Sequence, residues 1–377
     1  MPIVPKRRRA HFNLGNTLLA RGDPTAAAES YRRAIAAQPT YGEAHYNLAK
    51  LRQQGGELQA AEDGFRAALA IRPDLWGALF DLGNLLVDQG RFIEAGAQLQ
   101  RLVELQPDNA AAHCLLGMAL HGEERFDAAV ASYRRALALQ AAFPAAQYNL
   151  AHVLADCGQT EPAIVAFEAA IALQPNYPEA QRSLGNLLQG IGRHEAAAER
   201  FVAALRLQPL ITRPASAGPA RFSVVMVVAP GRGNTPFDYL TRTGVYDSHI
   251  LLFVPGFTYD VDYLRSRADV VFNLISDVDL GGEMLSAVGN LLRDVAKPVV
   301  NPSGSDPADR SRLDCPARCR TCRTPWCRRP CATRARPWRA RPGRRPSRSS
   351  CRSWYVRPAP MAAKIWSWSP IAIRSRR

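Results

Sequence analysis

Five prolines fall on a 34-residue clock, at Pro39, Pro73, Pro107, Pro175 and Pro209, with Ala141 in the one vacant slot. A fixed period of that length means one small structural unit repeated in tandem, each copy too small to bury its own apolar face. Aligned on the prolines, the chain divides into six units: 8–41, 42–75, 76–109, 110–143, 144–177 and 178–211. The period fixes the architecture of this half of the chain. It also points to a surface for display rather than to a catalytic centre.

Each position within the unit has a readable task. The seventh is leucine every time (Leu14, Leu48, Leu82, Leu116, Leu150, Leu184) and the eighth is small (Gly15, Ala49, Gly83, Gly117, Ala151, Gly185). The twentieth is alanine throughout, and the twenty-fourth is large: Tyr31, Phe65, Leu99, Tyr133, Phe167, Phe201. Apolar residues at three- and four-residue spacing predict two amphipathic helices per unit. The small residues let the two axes approach, and the large one fills the space toward the next hairpin. Gly22, Gly56, Gly90, Gly158 and Gly192 mark the turn inside each hairpin, where a helix end favours a left-handed residue; the fourth unit has Glu124 there. The proline closes the second helix, since it cannot donate an amide hydrogen.

This pattern resembles the tetratricopeptide repeat family over residues 8–211. The resemblance implies a mainly α fold, a right-handed α-solenoid of stacked helix hairpins whose first helices line a concave face. Sixth and ninth positions then place Asn13, Asn16, Asn47, Lys50, Asp81, Asn84, Asn149, His152 and Asn186 on that face, and the fifth position adds Tyr46, Phe80 and Tyr148. An asparagine amide both donates and accepts, so a row of them can hold an extended peptide backbone. Interleaved aromatics add contact area at low entropic cost. The row resembles the asparagine ladder in the repeats of protein O-linked N-acetylglucosamine transferases. The expected function is therefore a scaffold that binds a protein or peptide partner in the groove, and alanine at Asn47, Asn84 and Asn149 should weaken that partner. An accessory or substrate-recognition part of such a transferase system is an alternative.

The formal charge of +15 invites a nucleic-acid reading. Its distribution removes that reading from the folded part. Residues 302–377 hold 20 of the 48 basic residues and 3 of the 33 acidic ones, which leaves 28 basic against 30 acidic elsewhere. Cysteine divides the same way: Cys114 and Cys157 lie among the repeats, and the other six in the final segment. Two helix thiols suit a reducing compartment. The basic extension at 1–7 has no apolar run behind it, and no stretch is apolar enough to span a bilayer. These features predict a cytoplasmic protein that contacts neither membrane nor nucleic acid, has no metal site or cofactor, and is not an enzyme.

A different grammar begins after a linker-like stretch at 212–221. Phe222–Val228, Ser248–Val254, Asp269–Ser276 and Pro298–Asn301 read as buried strands, with a helix over Gly282–Asp294 between the last two. That order predicts a small α/β segment with a parallel sheet over 222–301. Two loops at its strand ends are candidate ligand positions. Gly231 and Gly233 come after the first strand, and Asp277, Asp279, Gly281 and Gly282 lead into the helix. The glycines also suit a simple turn, and the aspartates suit a helix cap. The segment resembles the N-terminal substrate domain of ATP-grasp ligases. That resemblance implies a second alternative, a truncated relative of such a ligase whose repeats recruit substrate. The nucleotide-binding portion of such a ligase has no counterpart in residues 302–377.

After Asn301 the composition changes abruptly. Residues 302–377 contain no Glu, Gln, Asn, His or Phe, one leucine (Leu313) and five of the six tryptophans. With no hydrophobic period the segment is expected to be disordered. It could be a basic tail that stacks bases on Trp326, Trp338 and Trp354. It could be a zinc site on Cys315, Cys319, Cys322, Cys327 and Cys331, which lacks a second CxxC. The reading adopted is out-of-frame translation: back-translated and read one nucleotide earlier, Trp354–Pro370 can encode glycines, acids and alternating apolar residues. Resequencing decides among the three, since an intact frame through this region defeats the last.

Overall fold

A computed structural model describes residues 4–215, 218–230, 244–275 and 282–300. The two candidate ligand loops, apart from Gly282 at a helix start, and the whole of 302–377 lie outside the described residues.

Twelve helices form six antiparallel hairpins on the proline clock: α1 Val4–Ala20 with α2 Pro24–Ala37, α3 Gly42–Gln54 with α4 Leu58–Ile71, α5 Trp76–Asp88 with α6 Phe92–Leu105, α7 Ala110–Gly122 with α8 Phe126–Leu139, α9 Pro144–Asp156 with α10 Thr160–Leu173, and α11 Pro178–Gly190 with α12 His194–Leu207. The first helix starts inside the segment expected to be an extension, and Pro5 is compatible with it because it falls in the first turn, where no intrahelical amide donor is needed. Every turn is closed in one way. The first helix ends on a positive-φ residue, and the next amide reaches back to a carbonyl of the last turn, as Arg91 N does to Leu86 O at 2.9 Å. Glu124 takes the same conformation at φ 62° without being glycine.

The large twenty-fourth residue, expected to fill the space toward the next hairpin, also packs on the small eighth residue of its own hairpin. A Cβ built on Gly15, Gly83, Gly117 or Gly185 would stand 2.6–2.7 Å from Tyr31, Leu99, Tyr133 or Phe201 respectively. Contacts this close leave no room for a methyl, so glycine fixes the distance between the two helices of these hairpins.

The sheet begins earlier than the linker expectation. β1, Ile211–Arg213, comes after α12 with only Gln208–Leu210 between them and pairs antiparallel with β3, so this stretch is an edge strand joined tightly to the last hairpin. β2 Ser223–Val228, β3 Asp247–Leu252, β4 Val270–Asn273 and β5 Val299–Val300 are mutually parallel, in the order β1-β3-β2-β4-β5. The sheet is therefore mixed rather than wholly parallel. α13, Val261–Arg267, precedes β4, and α14, Gly282–Val295, precedes β5. Alternate residues along β2 go to opposite cores. Val225 and Val227 pack with Leu264 of α13 and with Val288, Leu291 and Val295 of α14. Val224, Met226 and Val228, with Ile250 and Leu252 of β3, share a core with Leu184, Leu188, Phe201 and Leu205 of the sixth hairpin. A parallel sheet needs both faces covered, and here the end of the repeat array covers one of them. The same contact seals the edge of the last hairpin, which otherwise has no solvating helix.

Candidate functional site

Sixth- and ninth-position side chains lie on the first helix of each hairpin, one helical turn apart. A 35-residue step links neighbouring helices along this face, from the fifth position of one hairpin to the sixth of the next. Tyr46 donates its hydroxyl to Asp81 Oδ2 at 2.9 Å, Asn149 Nδ2 approaches Cys114 Sγ at 3.9 Å, and the Tyr148 and Ser183 hydroxyls meet at 3.4 Å. These rungs tie successive hairpins together. They also use groups that the sequence assigned to a ligand.

The internal rungs divide the candidate residues. Asn16 Oδ1 accepts from the Tyr31 hydroxyl at 2.7 Å and from Asn47 Nδ2 at 3.1 Å, so both amides are partly engaged within the first two hairpins. Asp81 holds Tyr46 and lies 3.9 Å from Lys50 Nζ, whose ammonium also sits over the Tyr46 ring. Burial raises the Asp81 carboxyl above its usual range, with Lys50 and the Tyr46 hydroxyl pulling the other way. His152 is packed edge-on to Tyr148 and Phe167, at ring distances of 4.6 and 5.1 Å, and its Nε2 is buried without a partner. Burial, reinforced by nearby His121, lowers it to about 4, so at neutral pH it is an uncharged member of an aromatic cluster. Asn13, Asn84 and Asn186 remain, with solvent-accessible amides that make no side-chain hydrogen bond with a described residue. Phe80 is half-buried, beside Asp81 on the same helix.

The fourth hairpin interrupts the polar row. Leu115 and Cys114 are fully buried there and Met118 is half-buried. The inner wall is thus a pair of amide-bearing stretches separated by an apolar one. Which asparagines are free could not be read from spacing, because the 35-residue pairing depends on how successive helices are offset.

An ion network between the second and third hairpins has no signature in the repeat spacing. Glu62, 3% exposed, accepts from both Arg91 and Arg66, and these two arginines also bind Glu94. Hydrogen bonds from Arg91 and then Arg66 hold the Glu94 carboxyl down at about 2. Beside the last helix a cavity of about 780 Å³ opens among Ala198, Val202, Arg206, Pro255 and Phe257. Val130 and Ile164, which match Ala198 in earlier units, are buried under the next hairpin. The cavity marks where the sheet covers α12 less fully than a hairpin covers its neighbour. Among the described residues no cluster of His, Cys, Asp or Glu could hold a metal ion, and no helix is long and apolar enough to cross a membrane.

Six stacked hairpins presenting a common inner wall define a helical-repeat scaffold. Its repeats are tetratricopeptide repeats: residues 7–75 and 80–147 match one tetratricopeptide repeat family model, and 151–192 match a second TPR repeat model. The sixth hairpin's second helix lies beyond these matches. No curated protein matches the chain. Among solved structures, MamA is 27% identical, with 43% of this chain and 94% of that one covered and a TM-score of 0.40. Pseudomonas aeruginosa pilF is 24% identical over 55% and 94%, with a TM-score of 0.46. YrrB, described as a TPR protein with an unusual peptide-binding site, is 24% identical over 48% and 94%, with a TM-score of 0.41.

Proposed function

We propose that the chain is an interaction scaffold whose concave wall holds an extended segment of a partner protein. The observation that carries this reading is the set of amides at Asn13, Asn84 and Asn186, on equivalent faces of first helices and hydrogen-bonded to no described residue. Each can donate to a peptide carbonyl and accept from a peptide amide. Met118 of the fourth hairpin, between Asn84 and Asn186 along the wall, with Phe80 one turn before Asn84 on its helix, would take one apolar side chain of the bound segment. Because Asn47 and Asn149 carry internal bonds, their removal mixes loss of contact with loss of stacking. The clean variant is Asn84→Ala with Asn186→Ala. Probed on an array of immobilised random dodecapeptides, this double variant should lose tenfold or more in affinity for peptides that wild type retains, with unchanged helical circular dichroism. Equal binding by the two proteins rejects the reading.

A second reading is favoured by the strand order. β2 is central, with β3 on one side and β4 on the other, which creates the switch point where open α/β sheets receive ligands. On this reading the α/β segment is part of an ATP-grasp-like ligase fed by the repeats. The chain shows no recognisable nucleotide-binding portion, so titration with ATP should give no signal, and saturable binding would favour the ligase.

A further inference from the structure

The outer face of α12 departs from the pattern of the five hairpins before it. The twenty-fifth position of the repeat is polar and exposed in each of those, as Arg32, Arg66, Gln100, Arg134 and Glu168. In the sixth it is Val202, half-buried and packed against the core shared with the sheet. The twenty-ninth position is alanine in four units and Glu104 in the third, yet it is Arg206 in the sixth. An apolar residue where the other repeats are polar, and a cation where most are small, thus face one space. Both line the cavity of about 780 Å³ beside the carboxyl end of β3. Small-molecule sites have volumes of roughly 300–1,000 Å³ and favour seams between packed units.

The walls are set before anything enters. Ala198 and Val202 of α12 form one apolar side, and Val254 and Phe257 form the other. The Tyr259 hydroxyl donates to Leu252 O at 3.1 Å and accepts from Val254 N at 2.6 Å, and Phe257 N reaches Val254 O at 3.2 Å. The Phe257 and Tyr259 rings meet edge-on at 4.9 Å. A loop braced in this way loses little freedom when it receives a ligand. The charges lie along the edge of α12. Glu199 and Arg206 both line the cavity, are exposed, and form no ion pair or hydrogen bond with a described residue. Seven residues apart on one helix, they are about 10.5 Å apart along its axis. A carboxylate and a guanidinium at that separation, with apolar surface between them, complement a molecule of matching polarity: an ammonium at one end, a carboxylate at the other and an apolar body. Three extended residues of a peptide with free ends span about 10 Å.

We propose that this cavity is a binding site for short free peptides of apolar residues, about three residues long. Arg206 receives the carboxyl terminus, Glu199 the amino terminus, and Val202 and Phe257 the side chains. The site is on the second helix of its hairpin, whereas the concave wall is built from first helices, so either proposal can fail without the other.

Trileucine is the probe, with its N-acetylated and C-amidated forms as controls, each titrated into the full chain by isothermal calorimetry. Saturable binding of trileucine is expected, weakened about fivefold by either cap, as suits a partly exposed charge pair. Arg206→Gln should abolish the difference between acid and amide, and Glu199→Gln the difference between amine and acetylated amine, each leaving the other contrast in place. Both variants alter exposed side chains, and their helical circular dichroism should match wild type. Val202→Arg, which restores the residue type of the first, second and fourth hairpins, should fill the cavity and weaken binding tenfold or more. Asn84→Ala with Asn186→Ala should leave it unchanged. The proposal is overturned if trileucine shows no saturable binding or if Val202→Arg binds it as well as wild type. It is overturned too if the capped peptides bind as tightly as the free one, since the cavity then takes an internal segment of a protein. A wild-type dimer in sedimentation that Val202→Arg separates also overturns it, since the cavity then belongs to a second copy.

Discussion

Glu124 offers the sharpest test of how the array is built. Five hairpins turn on a glycine with φ between 74° and 81°; the fourth turns on Glu124 at φ 62°. The bonding is the same in kind, since Arg125 N reaches Leu120 O at 2.9 Å just as Arg91 N reaches Leu86 O. Glu124 is exposed and its side chain makes no ion pair or hydrogen bond with a described residue, so the carboxylate compensates for nothing. An L-residue in the left-handed region costs roughly 1–2 kcal/mol. Glycine removes that cost, and its greater freedom in the unfolded chain gives back roughly 0.5–1 kcal/mol. Glu124→Gly should therefore stabilise the array by about 0.5–1 kcal/mol, and Gly90→Glu should destabilise it by a similar amount. Repeat arrays need not unfold in one step, so a single melting temperature is a blunt measure. Native-state hydrogen exchange at the Arg125 and Arg91 amides reads each turn locally. A neutral or destabilising Glu124→Gly, beside a destabilising Gly90→Glu, would mean the fourth turn holds Glu124 for some contact other than backbone geometry.

Two further outcomes rest on charged groups between hairpins. Glu62→Gln keeps the shape of the 3%-exposed side chain but removes the charge shared by Arg66 and Arg91. It should cost about 1–2 kcal/mol in urea unfolding, less than a fully buried pair because both arginines remain partly in water. His152 titrates near 4 when folded against 6.5 for a free imidazole. Between those values the unfolded chain binds more protons, so stability is complete above pH 6.5 and falls as pH drops toward 4, by about 3 kcal/mol at most. His152→Phe, which fits the surrounding aromatic cluster, should flatten that part of the pH–stability curve. An unchanged slope would place the imidazole in water.

Locality decides what could be read from the sequence. The 34-residue period, the turn residues and the small positions that let two helices approach act within one hairpin, and the turn glycines Gly22, Gly56, Gly90, Gly158 and Gly192 adopt the conformation their spacing implied. The strand segments were legible because each carries a continuous apolar run, Val224–Val228 in the first and Ile250–Val254 in the second. The hidden features lie between units. The Tyr46–Asp81 and Asn149–Cys114 rungs span 35 residues, and Glu62 meets Arg91 across a junction. No periodicity within a hairpin specifies the offset that brings such pairs together. β1 was missed for a related reason: Ile211–Arg213 is too short to carry an alternating pattern, and it is a strand only because the edge of β3 is there to pair with.

That dependence has a consequence for the α/β segment, one face of whose sheet is covered by the repeats. Met226 is at 0% exposure, and it points with Val224, Val228, Ile250 and Leu252 into the core shared with Leu184 and Phe201. Cut from the array, this face would present a broad apolar surface, since α13 and α14 cover only the other side. Met226→Asp forfeits the buried thioether, worth about 2–5 kcal/mol, and adds a carboxylate with no partner. Hairpins exchange stability only with their neighbours, so the loss should stay near the sheet. Limited trypsin digestion of the variant should remove the segment after Arg213 while α1–α10 persist with their helical circular dichroism. Loss of the whole array in one step would show that the hairpins are not independent. A protease-resistant sheet carrying Asp at 226 would show instead that the sheet can stand without the array, and the tight junction at Gln208–Leu210 would then be a tether between two domains rather than the seam of one.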